Sequence, residues 1–420
     1  MNRNKIKKLA LCIILQIGLI QLYAGKDPFA EYQNSIPAIK QVISEEMITE
    51  GSSEIVIRKF IFDSRNHTNE VYSIMAVPSG DGVYPAILFL HGGGSRAEDM
   101  YHLVREYAGR GYVTMAIDLP GLCGIDKTPY SRGPWKIKEK EKGMEEARID
   151  VSEQVRGSTL VDAEVAGIEA INYLRTMPEV NISRIGITGF SWGGYSTTIL
   201  AGLLGNKIKA AYSVYGCGYY EKGSFWIKWL DALSEKDRKT WLKYLDAGRR
   251  AKNMRAAYFI EAASNDTFFW PPAVEATLNA IRGSKNLVWR ANLNHRQLAQ
   301  GKLMQQLYLD YHLKGIGSPF AQVSVSKNEK QKNGNQKVTI QVNAPESIKI
   351  NSVKLYYSGM PASGKWQERE WIEIKAQPVS GNIYHVTIPE KAVKSQADYF
   401  VSAEDDRTVI TSSKMYTIKK

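Results

Sequence analysis

Cysteine is scarce: three residues in 420, one of them, Cys12, inside an N-terminal apolar run. Cys123 and Cys217 are too few to build a disulfide scaffold. Both follow expected strands at one sheet edge, so a single bridge and two buried thiols stay open. No cluster of His, Cys or acids has metal-ligand spacing, and no phosphate-binding loop occurs. No metal or cofactor is therefore expected. The formal net charge is +12, but it is spread along the chain. No Lys/Arg run interleaved with aromatics appears, which argues against nucleic-acid partners. No apolar stretch spans a bilayer comfortably, which takes about 20 residues.

The apolar run from Leu9 to about Tyr23 follows Arg3, Lys5, Lys7 and Lys8 and ends at Ala24-Gly25. A basic start, a short apolar stretch and a small residue form a secretory signal peptide. Residues 1–24 are expected to be removed, an uncleaved N-terminal anchor being the alternative. The mature protein is then secreted or periplasmic, with no stable membrane insertion. Four positive side chains and no acid leave with the leader, so the remainder is near +8.

What is present belongs to an ordinary globular protein: 44% hydrophobic and 23% charged residues, and enough chain for two or three domains. Residues 25–52 form a polar, partly helical lead-in. Ser53–Asp63 and Asn69–Val77 alternate apolar with polar, as antiparallel or edge strands do. Tyr84–Leu90 is continuously apolar, as a strand buried on both faces should be. Tyr112–Leu119, Arg184–Gly189, Ala210–Tyr215, Ala256–Ala263 and Leu287–Leu293 continue the strand series. Helical segments at 97–110, 159–176 and 192–205 lie between them. Strands alternating with helices predict a mostly parallel sheet covered on both faces. Residues 121–157 are a polar, charged excursion. Residues 219–254 are helical, rich in aromatics, and expected to cap the site, with most of the rings serving as the cap's own core. Residues 321–337, with the polar run Lys327–Lys337, are expected to be a linker. Short alternating strands over 338–420 predict an antiparallel β-sandwich.

One motif dominates. Residues 189–193, Gly-Phe-Ser-Trp-Gly, close a β-branched run and open a helix. That pattern sets Ser191 on a sharp strand-to-helix turn at the carboxyl edge of the sheet, where ligands bind in such folds. A serine hydroxyl needs a base to act as nucleophile. Of six histidines, His67 lies between early strands, His91 beside a glycine run, His102 and His312 on helices, and His385 in the C-terminal region. His295 alone follows the last sheet strand, and it is assigned as general base and acid. Asp266, after Ala256–Ala263, is the orienting carboxylate; Glu221 is held in reserve and Glu261 sits inside the strand. The backbone N–H groups of Trp192 and of Gly93, or else Gly92 or Gly94, would receive the oxyanion. His91, Tyr220 and Trp226 are expected to line the substrate pocket. Asp118 is expected to be a structural turn residue, and the sequons at Asn66, Asn181 and Asn265 are expected to be fortuitous.

Residues 54–315 resemble an α/β-hydrolase. Gly-Phe-Ser-Trp-Gly-Gly-Tyr is similar to the corresponding motif of prolyl oligopeptidase catalytic domains. His91-Gly92-Gly93-Gly94 and the compact size resemble the dienelactone hydrolase and acetyl xylan esterase branch. The resemblance implies an α/β-hydrolase fold over residues 25–320 with the 219–254 cap inserted. It carries Ser191, Asp266 and His295 onto the triad and Gly93 and Trp192 onto the oxyanion roles. Two positions depart from cephalosporin-deacetylase-type esterases: Trp192 follows the serine in place of Gln, and Arg296 follows the histidine in place of Glu. Residues 25–53 are too short for the propeller of prolyl oligopeptidases. The C-terminal sandwich resembles immunoglobulin-like modules of secreted carbohydrate-active enzymes. The expected activity is cleavage of a small carboxylic ester, an acylated carbohydrate being the favoured substrate. The alternatives are a serine peptidase lacking the propeller and a vestigial hydrolase that binds glycan.

Overall fold

The computed structural model describes residues 27–392 and 396–419. The expected signal peptide lies outside the described residues. Among these residues no helix is long and apolar enough to cross a membrane.

Nine strands form one sheet: β1 (Ile39–Glu50), β2 (Ser53–Ser64), β3 (Asn69–Pro78), β4 (Tyr84–Leu90), β5 (Val113–Ile117), β6 (Val180–Phe190), β7 (Ala210–Val214), β8 (Ala257–Ala263) and β9 (Lys285–Arg290), in the order β1-β2-β3-β5-β4-β6-β7-β8-β9. From β5 to β9 every neighbouring pair is parallel. β1, β2 and β3 extend the sheet antiparallel. Every residue of β4 after Tyr84 is buried, as its unbroken apolar run requires.

The helices are α1 (Tyr101–Gly109), α2 (Pro134–Lys142), α3 (Met144–Ile149), α4 (Thr159–Leu174), α5 (Trp192–Leu204), α6 (Ile227–Asp231), α7 (Glu235–Tyr244), α8 (Ala247–Ala251), α9 (Pro271–Ala280) and α10 (Ala299–Leu309). One large apolar cluster joins α4, α5 and the cap to one face of the sheet. A second joins α1 and α10 to the other face. α4 is apolar nearly all round and buried along almost its whole length, under the N-cap of Ser158. Cys123 and Cys217 are both free and buried.

The C-terminal region holds two antiparallel sheets around a third core. One sheet contains β10 (Gln322–Lys330), β11 (Gln336–Asn343), β14 (Gln377–Ser380) and β15 (Ile383–Ile388). The other contains β12 (Ile350–Gly359), β13 (Ile372–Lys375), β16 (Gln396–Asp405), β17 (Ile410–Ser412) and β18 (Tyr416–Lys419).

Two expectations are corrected. The expected linker over 321–337 is instead strand β10 and the turn to β11. Only Val323 and Val325 of β10 are even half-buried, and a register shift after Val325 breaks its alternation. Charged side chains on such an outer strand discourage unwanted pairing, and they hide the strand in a composition reading. The lead-in over 25–52 is instead dominated by β1. Irregularities near Ile39 and Val42 interrupt its period of two, and its side chains are mostly exposed.

One buried acid generates a prediction about stability. Glu164 of α4 accepts a hydrogen bond from Ser196 Oγ of α5 at 2.6 Å, and burial pushes its carboxyl up to about 8. The folded protein therefore keeps a proton there that the unfolded chain releases above about 4.5. This contribution to stability is present at low pH and is lost progressively as pH rises from about 4.5 to 8. Glu164→Gln should remove that loss. Unfolding free energies of wild type and variant from urea titrations should diverge between pH 5 and 8.5 in the variant's favour, by up to a few kcal/mol.

Candidate active site

β6 delivers Ser191 to the carboxyl edge of the sheet with φ 59° and ψ −120°. A positive φ on a residue other than glycine costs about 1–3 kcal/mol and persists only where the surroundings dictate it. Here the Ser191 N–H donates to Val214 O at 2.8 Å, and the Ser191 carbonyl accepts from Tyr195 N–H at 2.9 Å. Crowding explains the flanking glycines. A Cβ on Gly189 would stand 2.5 Å from Leu90 O, and one on Gly193 would fall well inside contact of the same oxygen. The first turn of α5 is thus pressed against the end of β4.

The glycine run after β4 passes directly beside this turn. A Cβ on Gly92 would lie 3.5 Å from Ser191 Cβ, and one on Gly93 would lie 2.6 Å from Trp192 Cδ1. The Gly94 N–H donates to Leu122 O at 2.8 Å, so that amide is committed elsewhere. Trp192 opens α5, where the first amides have no intrahelical acceptor.

His295 lies in the loop after β9 with its side chain 12% exposed. Its Nδ1 is 2.9 Å from Asp266 Oδ2. Asp266 is buried, and its Oδ1 accepts from the N–H groups of Phe268 at 2.7 Å and Phe269 at 3.1 Å. These bonds fix the carboxylate and leave Oδ2 for the imidazole. His295 Nε2 is buried without a hydrogen-bond partner, Ser191 Oγ included. The ring centroid lies 4.9 Å from that of Phe190, the residue before the serine. Phe268 at 4.9 Å and Tyr215 at 5.6 Å also pack on the imidazole. A hydrogen bond between nucleophile and base is commonly long or absent before substrate binds. The two carboxylates weighed against Asp266 are engaged in ion pairs: Glu221 with Arg249 at 2.6 Å and Glu261 with Arg290 at 2.8 Å.

The three expected pocket residues sit elsewhere. His91 is fully buried and uses both ring nitrogens. Nε2 accepts from Leu119 N–H at 2.9 Å, so Nδ1 carries the proton and donates to Gly92 O at 2.8 Å. Burial lowers its pKa to about 4, which keeps it a neutral brace under the glycine run. Tyr220 and Trp226 are buried behind Trp192, with ring centroids 6.0 and 4.6 Å from it. The cap turns these aromatics inward, so they back the Trp192 ring and form no exposed wall. Asp118 accepts from Ala97 N–H at 2.8 Å and from Ser131 Oγ at 2.7 Å, as a structural turn residue does.

Arg148 carried no sequence signal, because it lies in a charged excursion without periodicity. It is completely buried. Its Nε donates to Gly121 O at 2.9 Å, and its Nη1 reaches Glu145 Oε1 at 3.0 Å. Its guanidinium lies 4.8 Å from the Trp192 ring centroid. The other Glu145 oxygen accepts from Trp226 Nε1–H. Trp226 packs edge-on against Trp192, which closes a ring of four side chains that includes the residue after the serine. Among the described residues no group of His, Cys, Asp and Glu could hold a metal ion.

Comparison with known proteins agrees with this architecture. The sequence profile of the Dienelactone hydrolase family matches residues 72–288. Acetyl xylan esterase 1 from Thermoanaerobacterium sp. JW/SL YS485 is 19% identical, with a TM-score of 0.52 over 70% of this chain and 98% of its own. The acetyl xylan esterase from Paenibacillus sp. R4 is 18% identical, with a TM-score of 0.53 over 70% and 99%. At such identities these likenesses show a shared fold. With the family profile covering half of the sequence, the chain belongs to the dienelactone hydrolase family of α/β-hydrolases.

Proposed function

We propose that the protein is a serine esterase acting on small acyl esters of carbohydrates through Ser191, His295 and Asp266. One observation carries this reading. The imidazole is held by a buried carboxylate at 2.9 Å and rests on the residue beside a strained serine, with its far nitrogen unpartnered.

His295 Nε2 takes the Ser191 proton as Oγ attacks the ester carbonyl carbon. Nδ1–H stays on Asp266, which fixes the tautomer and stabilises the imidazolium that forms. The carbonyl oxygen gains negative charge and accepts hydrogen bonds from the Trp192 and Gly93 amides. Donors already aimed at that oxygen are each worth about 3 kcal/mol in the transition state. Collapse of the intermediate expels the alcohol, which takes its proton from His295. Water, deprotonated by His295, then attacks the acyl-enzyme and releases the acid.

The acetylated-carbohydrate preference is supported by two of the fold neighbours, which are acetyl xylan esterases. We also propose export, on the basic and apolar pattern of residues 1–24.

The test is hydrolysis of 4-nitrophenyl acetate and acetylated xylan together with labelling by a fluorophosphonate. Wild type should turn over both esters and be labelled. Ser191→Ala should lose labelling and at least about 10⁴-fold in kcat. Equal turnover by the variant would remove the mechanism, and preference for peptide amides would replace the esterase with a peptidase. A Cβ at residue 93 would press on the Trp192 ring, so Gly93→Ala should cost about 10²-fold in kcat with little change in KM.

A further inference from the structure

We propose that the C-terminal β-sandwich works as a clamp on the two loops that carry the acid and the base, with Asn265, Asn292 and Gln367 as positioning residues. The inference rests on the triad reading above.

The segment between β12 and β13 contacts both loops through directed hydrogen bonds. On the acid side, Asn265 Nδ2 donates to Arg369 O at 2.6 Å and to Gln367 O at 3.2 Å. Gln367 Nε2 donates in return to the carbonyl of Asp266 at 3.1 Å. On the base side, Asn292 pairs reciprocally with the backbone of Trp371. Its Nδ2 donates to Trp371 O, and its Oδ1 accepts from Trp371 N–H, both at 2.8 Å. Asn292 stands three residues before His295 and has φ +55°, a conformation that the carboxamide grip helps to hold.

The two loops are also tied to each other. Ser264 Oγ donates to Asn265 Oδ1 at 2.6 Å and accepts from Asn292 N–H at 3.0 Å. Asn294 Oδ1 accepts from Thr267 N–H at 2.9 Å. The clamping segment is itself anchored in the sandwich. Arg369 pairs with Asp398 of β16 at 2.6 Å, and its guanidinium stacks 3.7 Å from the Trp366 ring centroid. A rigid line therefore runs from the second sheet of the sandwich to the backbone of Asp266 and to the start of the histidine loop.

The chemistry needs such a line because a loop left alone holds a side chain loosely. A misplacement of about 1 Å at the reacting groups can cost 10²-fold in rate. Asn265, which also heads an Asn-X-Thr sequon, has its amide nitrogen committed to this contact and is buried, so it is a structural donor and no glycan acceptor.

The test uses the full chain and two variants. Gln367→Met keeps the bulk of a half-buried side chain and removes only the donor, and Asn265→Ala removes the acid-side grip. Two readouts are needed. The first is the low-field proton signal of an imidazole N–H that donates to a carboxylate, identified by its absence in His295→Gln. The second is kcat and KM for 4-nitrophenyl acetate. The signal should broaden or vanish in both variants, and kcat should fall about tenfold or more with KM within twofold. A low-field signal that persists unchanged in both variants overturns the clamp whatever the rate. A wild-type protein that shows the signal yet resists the fluorophosphonate sinks the serine-hydrolase reading and leaves the clamp to be judged by the signal alone.

Discussion

The whole site depends on one crowded backbone crossing, where the first turn of α5 meets the end of β4 beneath Ser191. There is no room for a Cβ at residue 193, because Leu90 O occupies that space. The chain can make this approach only with glycine, and the approach holds the serine at a positive φ. The strain of about 1–3 kcal/mol is offset by the hydrogen bonds to Val214 O and from Tyr195 N–H. The serine is thereby raised above the sheet, and the glycine run after His91 passes beside it at van der Waals distance. Serine turn and glycine run are two sides of the same contact.

Around that contact the protein spends buried charge, which is poor currency for stability alone. A buried ion pair is weak support for a fold, because desolvation can exceed the attraction gained. Arg148 and Glu145 are better understood through what they hold. Arg148 stacks on Trp192, Glu145 holds the indole N–H of Trp226, and the two indoles meet edge-on. The Trp192 ring is fixed on both sides, and its backbone amide is fixed with it. The neutral imidazole of His91 does the matching work under the opposite loop, by bonding to Leu119 N–H and Gly92 O.

How much of this was legible follows from what leaves a local trace. The parallel strands did, because strands buried on both faces must be continuously apolar. The placement of Ser191, Asp266 and His295 did, because each follows a strand at the same edge of the sheet. Elements on the periphery did not. β1 and β10 bury few side chains, and irregular pairing breaks their period. Arg148 left no trace because burial of a charge is decided by partners far away in sequence. The aromatics of the cap were legible as a core, but which of them would touch a ligand was not. Helical spacing gives the inward face without saying what that face meets, and for Tyr220 and Trp226 it meets Trp192.

The C-terminal sandwich shows why a change in composition is a poor guide to an energetic boundary. The pattern shifts near residue 320 from alternating helices and strands to short strands alone. The packing does not stop there. Trp371 and Phe400 belong to the same apolar cluster as the helices over the main sheet. The backbone N–H of Trp289 in β9 donates to Ser412 Oγ at 3.0 Å, and Glu275 of α9 accepts from the backbone N–H of Met415 at 2.9 Å. The rings of Trp366 and Trp371 pack on Arg369 and against the main apolar cluster, and Trp371 also meets Phe400. Two units that share a core and are joined by side chain-to-backbone hydrogen bonds at the loops after β8 and β9 cannot be treated as independent folding units. The loops bearing Asp266 and His295 are thus bounded on one side by the main sheet and on the other by the sandwich.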